Sequence, residues 1–322
     1  MKRDSEQGKD QAAIKKQERQ AETFGDVAKD FIERYAKKRK KEKSWREDER
    51  MIEKFLNPHF QTVRAADVKR REVRAVLEKI AVKTPIQANR VLACIRKMYN
   101  WAVSEDLIET NPISGIQSPG KPNRRDRVLS EDEIRKLWRA FDRQPSMVSD
   151  IFKLRLLTAQ RGNEIVGMQW TELDLPNQWW TIPQERSKNK LTHRVWLSDP
   201  AMKILKRIEK RNKKLSTPWV FPGRNPAYHL AETRRRTMQI PTTTDDGKAI
   251  SHWTWHDLRR TAASLMTGMG IARLVVAKIL NHAEPEVTAT YDRHSYDPEK
   301  KDALDRWASR LMTIVVRSKT KK

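Results

Sequence analysis

One cysteine, no long apolar run and no dense carboxylate cluster mark this chain, and each shortage removes a class of protein. Cys94, alone among 322 residues, allows no internal disulfide and no cysteine-based zinc site, and it fits a reducing compartment. Its neighbours Val91, Leu92 and Ile95 predict a buried structural thiol. No apolar run reaches the roughly 18 residues that a membrane span needs, and the N-terminus has no apolar signal segment. The expected location is the cytoplasm, with no membrane partner. Asp and Glu are nowhere packed as a two-metal nuclease requires. His252 and His256 have the i,i+4 spacing of some zinc ligands. No Glu follows as in His-Glu-x-x-His, and the Trp-rich flanks place His252 ahead of a helix. No metal and no cofactor is expected. Internal repeats and low-complexity segments are also missing.

What the chain has in excess is positive charge. Its 67 Lys and Arg stand against 42 Asp and Glu, a formal charge of +25. That balance calls for a polyanionic partner, nucleic acid first. A hydrophobic share of 37% over 322 residues is enough for two domains, each with a core.

The apolar pattern is helical through most of the chain. Residues 1–21 are a charged tail without periodicity. From Thr23 the spacing of Phe24, Val27, Phe31 and Tyr35 predicts a helix, ending in the basic run Lys37-Lys38-Arg39-Lys40-Lys41. That run reads as a phosphate-contact stripe or as a solvated helix end. Further helices are expected over 46–57, after Asp67 as N-cap, and over 86–104, with Asn111-Pro112 closing a four-helix domain at 22–117. The Pro- and Gly-containing segment 118–128, with Arg124 and Arg125, reads as a basic linker able to follow a phosphate backbone.

A second domain, 129–322, opens on Ser130 and Glu133, which have capping-box spacing. A helix carrying Ile151, Leu154 and Leu157 leads to Arg161. Trp179–Ile182 and His193–Leu197 read as a strand pair joined by a polar loop. Helices are expected again at 200–213, 229–238, 256–268, 272–281 and 298–315. The expected fold is mainly α with a small β-sheet.

Six residues in the second domain have the chemistry to handle a phosphate. Arg161 and Arg259 offer planar forks of donors for paired oxygens. His256 lies one helical turn before Arg259 and shares its face. Lys188 lies in the hairpin loop with Lys190 as its rival, and either suits a proton donor to a leaving oxygen. His282 ends an apolar helix, where a histidine is more often a core residue. Asn281 before it tolerates a left-handed turn. Of the five tyrosines, Tyr35 and Tyr99 lie on apolar helix faces and Tyr228 is in a Pro-containing loop. Tyr291 and Tyr296 both lie in a polar setting that allows an exposed, reactive phenol or an ordinary surface tyrosine. Glu164 reads as a partner of Arg161, a complement to a helix N-terminus, or an ordinary helix carboxylate. Cleaving a phosphodiester without metal would load the charge onto the two arginines.

In order, Arg161, Lys188, His256-x-x-Arg259, His282 and Tyr291 resemble the tyrosine recombinase (phage integrase) family. The phrases LLTAQRGNEIVGMQW, HDLRRTAAS, ILNHAEPEVTATYDRHSY and RWASRL are similar to those of prophage-type integrases. The resemblance runs from about residue 22 to the end. It implies a helical core-binding domain followed by an α/β-mixed catalytic domain. It implies Tyr291 as nucleophile, Lys188 as general acid, two arginines clamping the phosphate, and His256 and His282 orienting it. It further implies site-specific recombination of double-stranded DNA at attachment sites, by a homotetramer, with accessory directionality and DNA-bending proteins. The C-terminal stripe Leu304, Trp307, Leu311 and Ile314 would pack on its own domain or on a neighbour, and the resemblance favours the neighbour. Asn281 departs from the family, which usually has Gly there. Residues 1–21 resemble at most the end of an arm-binding domain. Two rivals are a type IB topoisomerase and a DNA-binding protein without catalysis.

Overall fold

The computed structural model describes residues 22–121, 126–230, 249–282 and 294–316. The chain divides into two compact units, Met1–Arg124 and Arg125–Lys322.

In the first unit, α1 starts at Phe24–Asp30, widens into a π-helical stretch at Phe31–Ala36 and ends at Lys37–Arg39. Thr23 and Asp26 form the capping box that starts it. Helix α2 begins at Glu42–Met51, widens at Ile52–Leu56 and closes at Asn57–Phe60. It therefore begins earlier than the expected 46–57 and runs through Pro58. Pro58 falls in the first turn of the closing segment, where its missing N–H and fixed φ are tolerated. Helices α3 (Arg70–Lys83) and α4 (Pro85–Ser104) complete the set. Asp67 does not cap α3. It ends a separate turn at Ala65–Asp67, with its carboxylate toward Arg64, and Lys69 occupies the cap position.

Phe24, Phe31, Leu56, Leu92, Ile95 and Tyr99 are fully buried at the centre of this unit. Cys94 is buried beside the Asp48 carbonyl, and burial pushes its thiol up to about 12. Gly120 lies against the Pro85 carbonyl, where a Cβ would come within 2.7 Å, and it exchanges two hydrogen bonds with Asn89.

In the second unit, α5 (Glu131–Asp142) starts from the Ser130–Glu133 capping box and packs on α6 (Ser146–Thr158). A short α7 (Gly162–Val166) follows. Three antiparallel strands come next, β1 (Leu173–Asp174), β2 (Trp179–Ile182) and β3 (His193–Trp196), paired in sequence order. The β2–β3 hairpin matches the expectation, with Trp180 opposite Val195 and Ile182 opposite His193. The two-residue β1 is too short to leave a period in the sequence. Helices α8 (Asp199–Asn212), α9 (Trp255–Gly268), α10 (Arg273–Ile279) and α11 (Asp297–Val316) follow among the described residues. Of the helix expected at 229–238, His229 is instead bridged to Pro222, and residues 231–238 lie outside the described residues. Residues 1–21, Arg124, Arg125 and Tyr291 lie outside them too.

Helix α11 packs on its own unit in this single chain, the first of the two alternatives that its apolar stripe left open. Leu304, Trp307, Leu311 and Ile314 are all buried, and Trp307 Nε1 donates to the Leu156 carbonyl at 2.9 Å. Each buried aliphatic side chain contributes about 1.5–3 kcal/mol. The Arg310–Glu131 ion pair at the rim adds ~0–1 kcal/mol, so apolar burial decides the docking.

Candidate active site

The site is built around the C-terminal end of α10. A helix end leaves its last carbonyls without partners inside the helix. Here side chains from four other segments take the carbonyls of three consecutive residues. The Ile279 carbonyl accepts from Gln160 Nε2 at 2.9 Å and meets His193 Nε2 at 3.1 Å. Leu280 accepts from Arg259 Nη2. Asn281 accepts from Arg161 Nη2 at 3.1 Å and from Asn189 Nδ2 at 2.7 Å. The partial negative charge of the helix end favours cations there. Two guanidinium groups, separated by 98 positions in the sequence, are thus placed side by side (161 and 259).

Arg259 comes from the buried face of α9. Its Nη1 also donates to the Ala159 carbonyl at 2.9 Å. Ala159 leaves α6 in a left-handed conformation, with φ at 58°. That geometry strains a residue with a Cβ, and the bond from Arg259 helps to hold it. Burial and then the Arg161 charge depress Arg259 to about 10, with Glu164 opposing. At neutral pH the group stays charged.

Arg161 sits at the N-terminal boundary of α7. Glu164 binds it twice. The Arg161 backbone N–H donates to Oε2 at 2.9 Å, and Nη1 donates to Oε1 at 3.0 Å. Glu164 is only 3% exposed. Two of the alternatives open for it therefore hold together, as partner of the guanidinium and cap of the helix. The described bonds take two of the five donors on each guanidinium, leaving the others for a ligand.

The histidines are placed differently from the arginines. His282 is exposed, against the core alternative that its place on an apolar helix left open. The reason is Asn281, whose φ of 46° turns the chain out of α10 before the ring is reached. Desolvation, then Arg259, Arg161 and Lys188, hold the His282 ring below its ordinary range. His256, on the first turn of α9, is exposed and is lowered by desolvation and then by Arg260, Arg259 and Arg155, against Asp257. Both rings are therefore neutral at pH 7, each with one nitrogen able to accept a proton.

Lys188 is exposed in the β2–β3 loop, and its charge is felt at His282. Its neighbours are anchored. Arg186 forms a bidentate pair with Glu172, at 2.6 and 2.8 Å. Ser187 is fully buried. Asn189 reaches the Asn281 carbonyl as described above. Lys190 has a positive φ of 56°.

Arg161, Glu164, Lys188, His256, Arg259 and His282 are thus brought into one region, whereas Tyr291 cannot be located among the described residues. Tyr296 is half-buried, with Lys278 over its ring at 4.6 Å and His294 against its edge.

Gln160, His193, Ser187, Asn189 and Arg155 were missed from sequence. Gln160 is fully buried between the Thr158 and Ile279 carbonyls. His193 is buried, and desolvation first, then Lys300, push it down to about 3. Its place opposite Ile182, on the inward side of an alternating strand, was the available signal. Arg155 donates to the Trp255 carbonyl at 2.6 Å and stacks on that ring, and a Cβ at Gly162 would come within 2.7 Å of the guanidinium, which would have to shift.

In the first unit, two cations of the basic run are matched by carboxylates, Lys37 by Glu33 and Lys40 by Asp48. Arg39 lies over the Tyr35 ring at 5.7 Å. Lys38 is exposed, and Lys41 occupies the N-cap of α2. Among the described residues no group of three or more His, Cys, Asp and Glu could hold a metal ion. No described helix is long and apolar enough to cross a membrane.

Known proteins resemble both units. The model of the phage integrase family matches residues 127–297, and that of the phage integrase central domain matches residues 24–118. Prophage integrase IntZ of Escherichia coli (strain K12) is 27% identical over 176 residues, 54% of this chain and 43% of that protein. The shufflon-specific DNA recombinase of Escherichia coli is 28% identical over 226 residues, 69% of this chain and 55% of that protein. The chain spans about half the length of these two relatives. Among solved structures, a lambda integrase dimer bound to a COC' core site superposes with a TM-score of 0.66 at 18% identity, covering 86% of this chain and 78% of that one. A lambda integrase tetramer bound to a Holliday junction gives 0.66 at 18% identity, over 82% and 79%. At this identity the likeness is one of fold.

Proposed function

We propose that this chain, which belongs to the phage integrase family, cuts and rejoins DNA at specific sites through a covalent tyrosine intermediate. The observation that carries the reading is the pair of guanidinium groups at 161 and 259, held on adjacent carbonyls of one helix end beside two neutral imidazoles and a lysine. Such a set matches what a phosphodiester needs when its bridging bond breaks.

In the proposed reaction, Arg161 and Arg259 take the nonbridging oxygens and the charge that grows on them. The Tyr291 phenol oxygen attacks phosphorus. The new O–P bond forms as the bond to the 5′-oxygen breaks, and the DNA is left joined through a 3′-phosphotyrosine. Lys188 gives the 5′-oxygen its proton. His256 and His282 orient the phosphate and carry protons between tyrosine and solvent. The phosphoester bond is exchanged and not spent, so religation needs neither ATP nor metal. Residues 22–117 would hold the DNA as a core-binding domain and residues 129–322 would act on it, joined by the basic linker 118–128. Exposed cations such as Lys38 and Arg39 would contact the backbone, with Arg124 and Arg125 on the linker. Assembly as a tetramer on two attachment sites in the cytoplasm, aided by directionality and DNA-bending proteins, completes the reading. The tetramer of lambda integrase on a Holliday junction supports it through the shared fold.

The test uses a nicked duplex carrying the direct repeat that flanks the element's gene, so that the freed 5′ strand diffuses away. Wild type is expected to form a covalent adduct and Tyr291→Phe none. An adduct that persists in Tyr291→Phe but vanishes in Tyr296→Phe moves the nucleophile. A supercoiled plasmid without the repeat is expected to stay supercoiled, whereas rapid relaxation would make the protein a topoisomerase.

A further inference from the structure

Asn281 stands beside the site as a residue whose side chain and backbone do separate things. Its carbonyl accepts from Arg161 and Asn189. Its side chain amide donates to Ser187 Oγ at 3.0 Å. Ser187 is fully buried and immediately precedes Lys188, and Asn189 immediately follows it. The β2–β3 loop is therefore tied to the end of α10 on both sides of the exposed lysine. One tie runs to the Asn281 backbone and the other to its side chain.

The left-handed φ of 46° at Asn281 suits glycine, which would keep the turn and the carbonyl. Glycine would lose only the bond to Ser187. An asparagine at this position thus accepts backbone strain and supplies a contact that the permissive residue cannot make. Asn is among the few residues that enter this conformation readily.

We propose that Asn281 is a positioning residue, whose side chain latches the β2–β3 loop so that the Lys188 ammonium is held where the leaving 5′-oxygen departs. The latch would act before DNA arrives, sparing the loop the ordering that a free lysine would undergo at the reacting phosphate. This rests on Lys188 being the proton donor in the reaction proposed above.

The prediction separates proton donation from every other role. With an ordinary phosphodiester, the P–O5′ bond breaks and Lys188 Nζ transfers a proton to O5′. With a 5′-bridging phosphorothiolate, the P–S bond breaks and the thiolate leaves without one. Loss of a latching hydrogen bond is worth about threefold to tenfold in rate. In single-turnover cleavage, Asn281→Gly is expected to slow the ordinary nicked duplex by about threefold to tenfold and to match wild type on the thiolate duplex. Ser187→Ala should do the same, and the double variant should lose no more than either single one. Trypsin should cut after Lys188 faster in both variants than in wild type, with no DNA present. Equal slowing on the two duplexes, no slowing on either, or unchanged tryptic cutting would overturn the latch. If wild type forms no adduct at all, the reaction is wrong, and the tryptic comparison still decides whether the loop is tied.

Discussion

Arg161 and Arg259 bind the carbonyls of Asn281 and Leu280, two consecutive residues at one helix end. The spacing between the two guanidinium groups is therefore set by the repeat of a backbone and not by the side chains themselves. Like charges so close would separate if free. The helix-end carbonyls and buried Glu164 supply the compensating negative charge. A clamp preassembled this way has little to reorganise when a phosphate arrives.

Replacing Arg259 by lysine tests that geometry. Lysine keeps the charge but offers a point rather than a fork, and it cannot bind the Ala159 and Leu280 carbonyls while facing a phosphate. Adduct formation is expected to fall by about 10²–10³-fold. Losing a bond to one buried carbonyl costs ~1–3 kcal/mol, seen as a melting temperature lower by several degrees. A variant that cleaves within a few-fold of wild type would refute the clamp.

His193 predicts a pH dependence. The buried ring is pushed down to about 3, so in the folded protein it stays neutral while the unfolded chain takes up a proton near pH 6.5. Its contribution is fully present above pH 6.5 and is lost as the pH falls toward 3, at about 1.4 kcal/mol per unit. Between pH 6.5 and 5 the loss is about 2 kcal/mol. His193→Gln keeps a donor for the Ile279 carbonyl and removes the titration. Urea titrations of the two proteins should diverge by that amount over this interval. Parallel pH profiles would show that the ring is not held neutral.

Trp307 tests how α11 is held. The indole is fully buried and its N–H is satisfied by Leu156. Trp307→Ala should cost about 3–5 kcal/mol. Because the helix docks on its own unit, the melting temperature should not vary over a roughly hundredfold range of protein concentration. A concentration-dependent transition would mean that a second chain supplies the surface under this helix.

Helical periodicity and capping-box spacing made most elements legible, because they reflect local backbone chemistry. The Ser130–Glu133 box and the stripe from Phe24 to Tyr35 are examples. Asp67 misled because it satisfies the rule for a cap while its carboxylate faces Arg64. Of the site, the charged residues were visible by type and order, and Asn281 by its tolerance of a left-handed turn. Gln160, Ser187 and Asn189 were not. Their importance lies in which backbone oxygen they meet, and that depends on contacts between positions more than 90 residues apart. His282 carried two readings, core residue or phosphate-orienting group, because the apolar period of α10 runs up to it, and one dihedral angle at Asn281 brings it to the surface.

Since Ile279, Leu280 and Asn281 serve five side chains through three successive oxygens, the end of α10 is a single point of failure. Val276 and Ile279 hold that helix in the core. A volume change at either would misalign both cations, the lysine loop and the imidazole together. Inactive relatives of this chain should therefore include some whose reactive residues are all intact and whose lesion is an altered aliphatic side chain on α10.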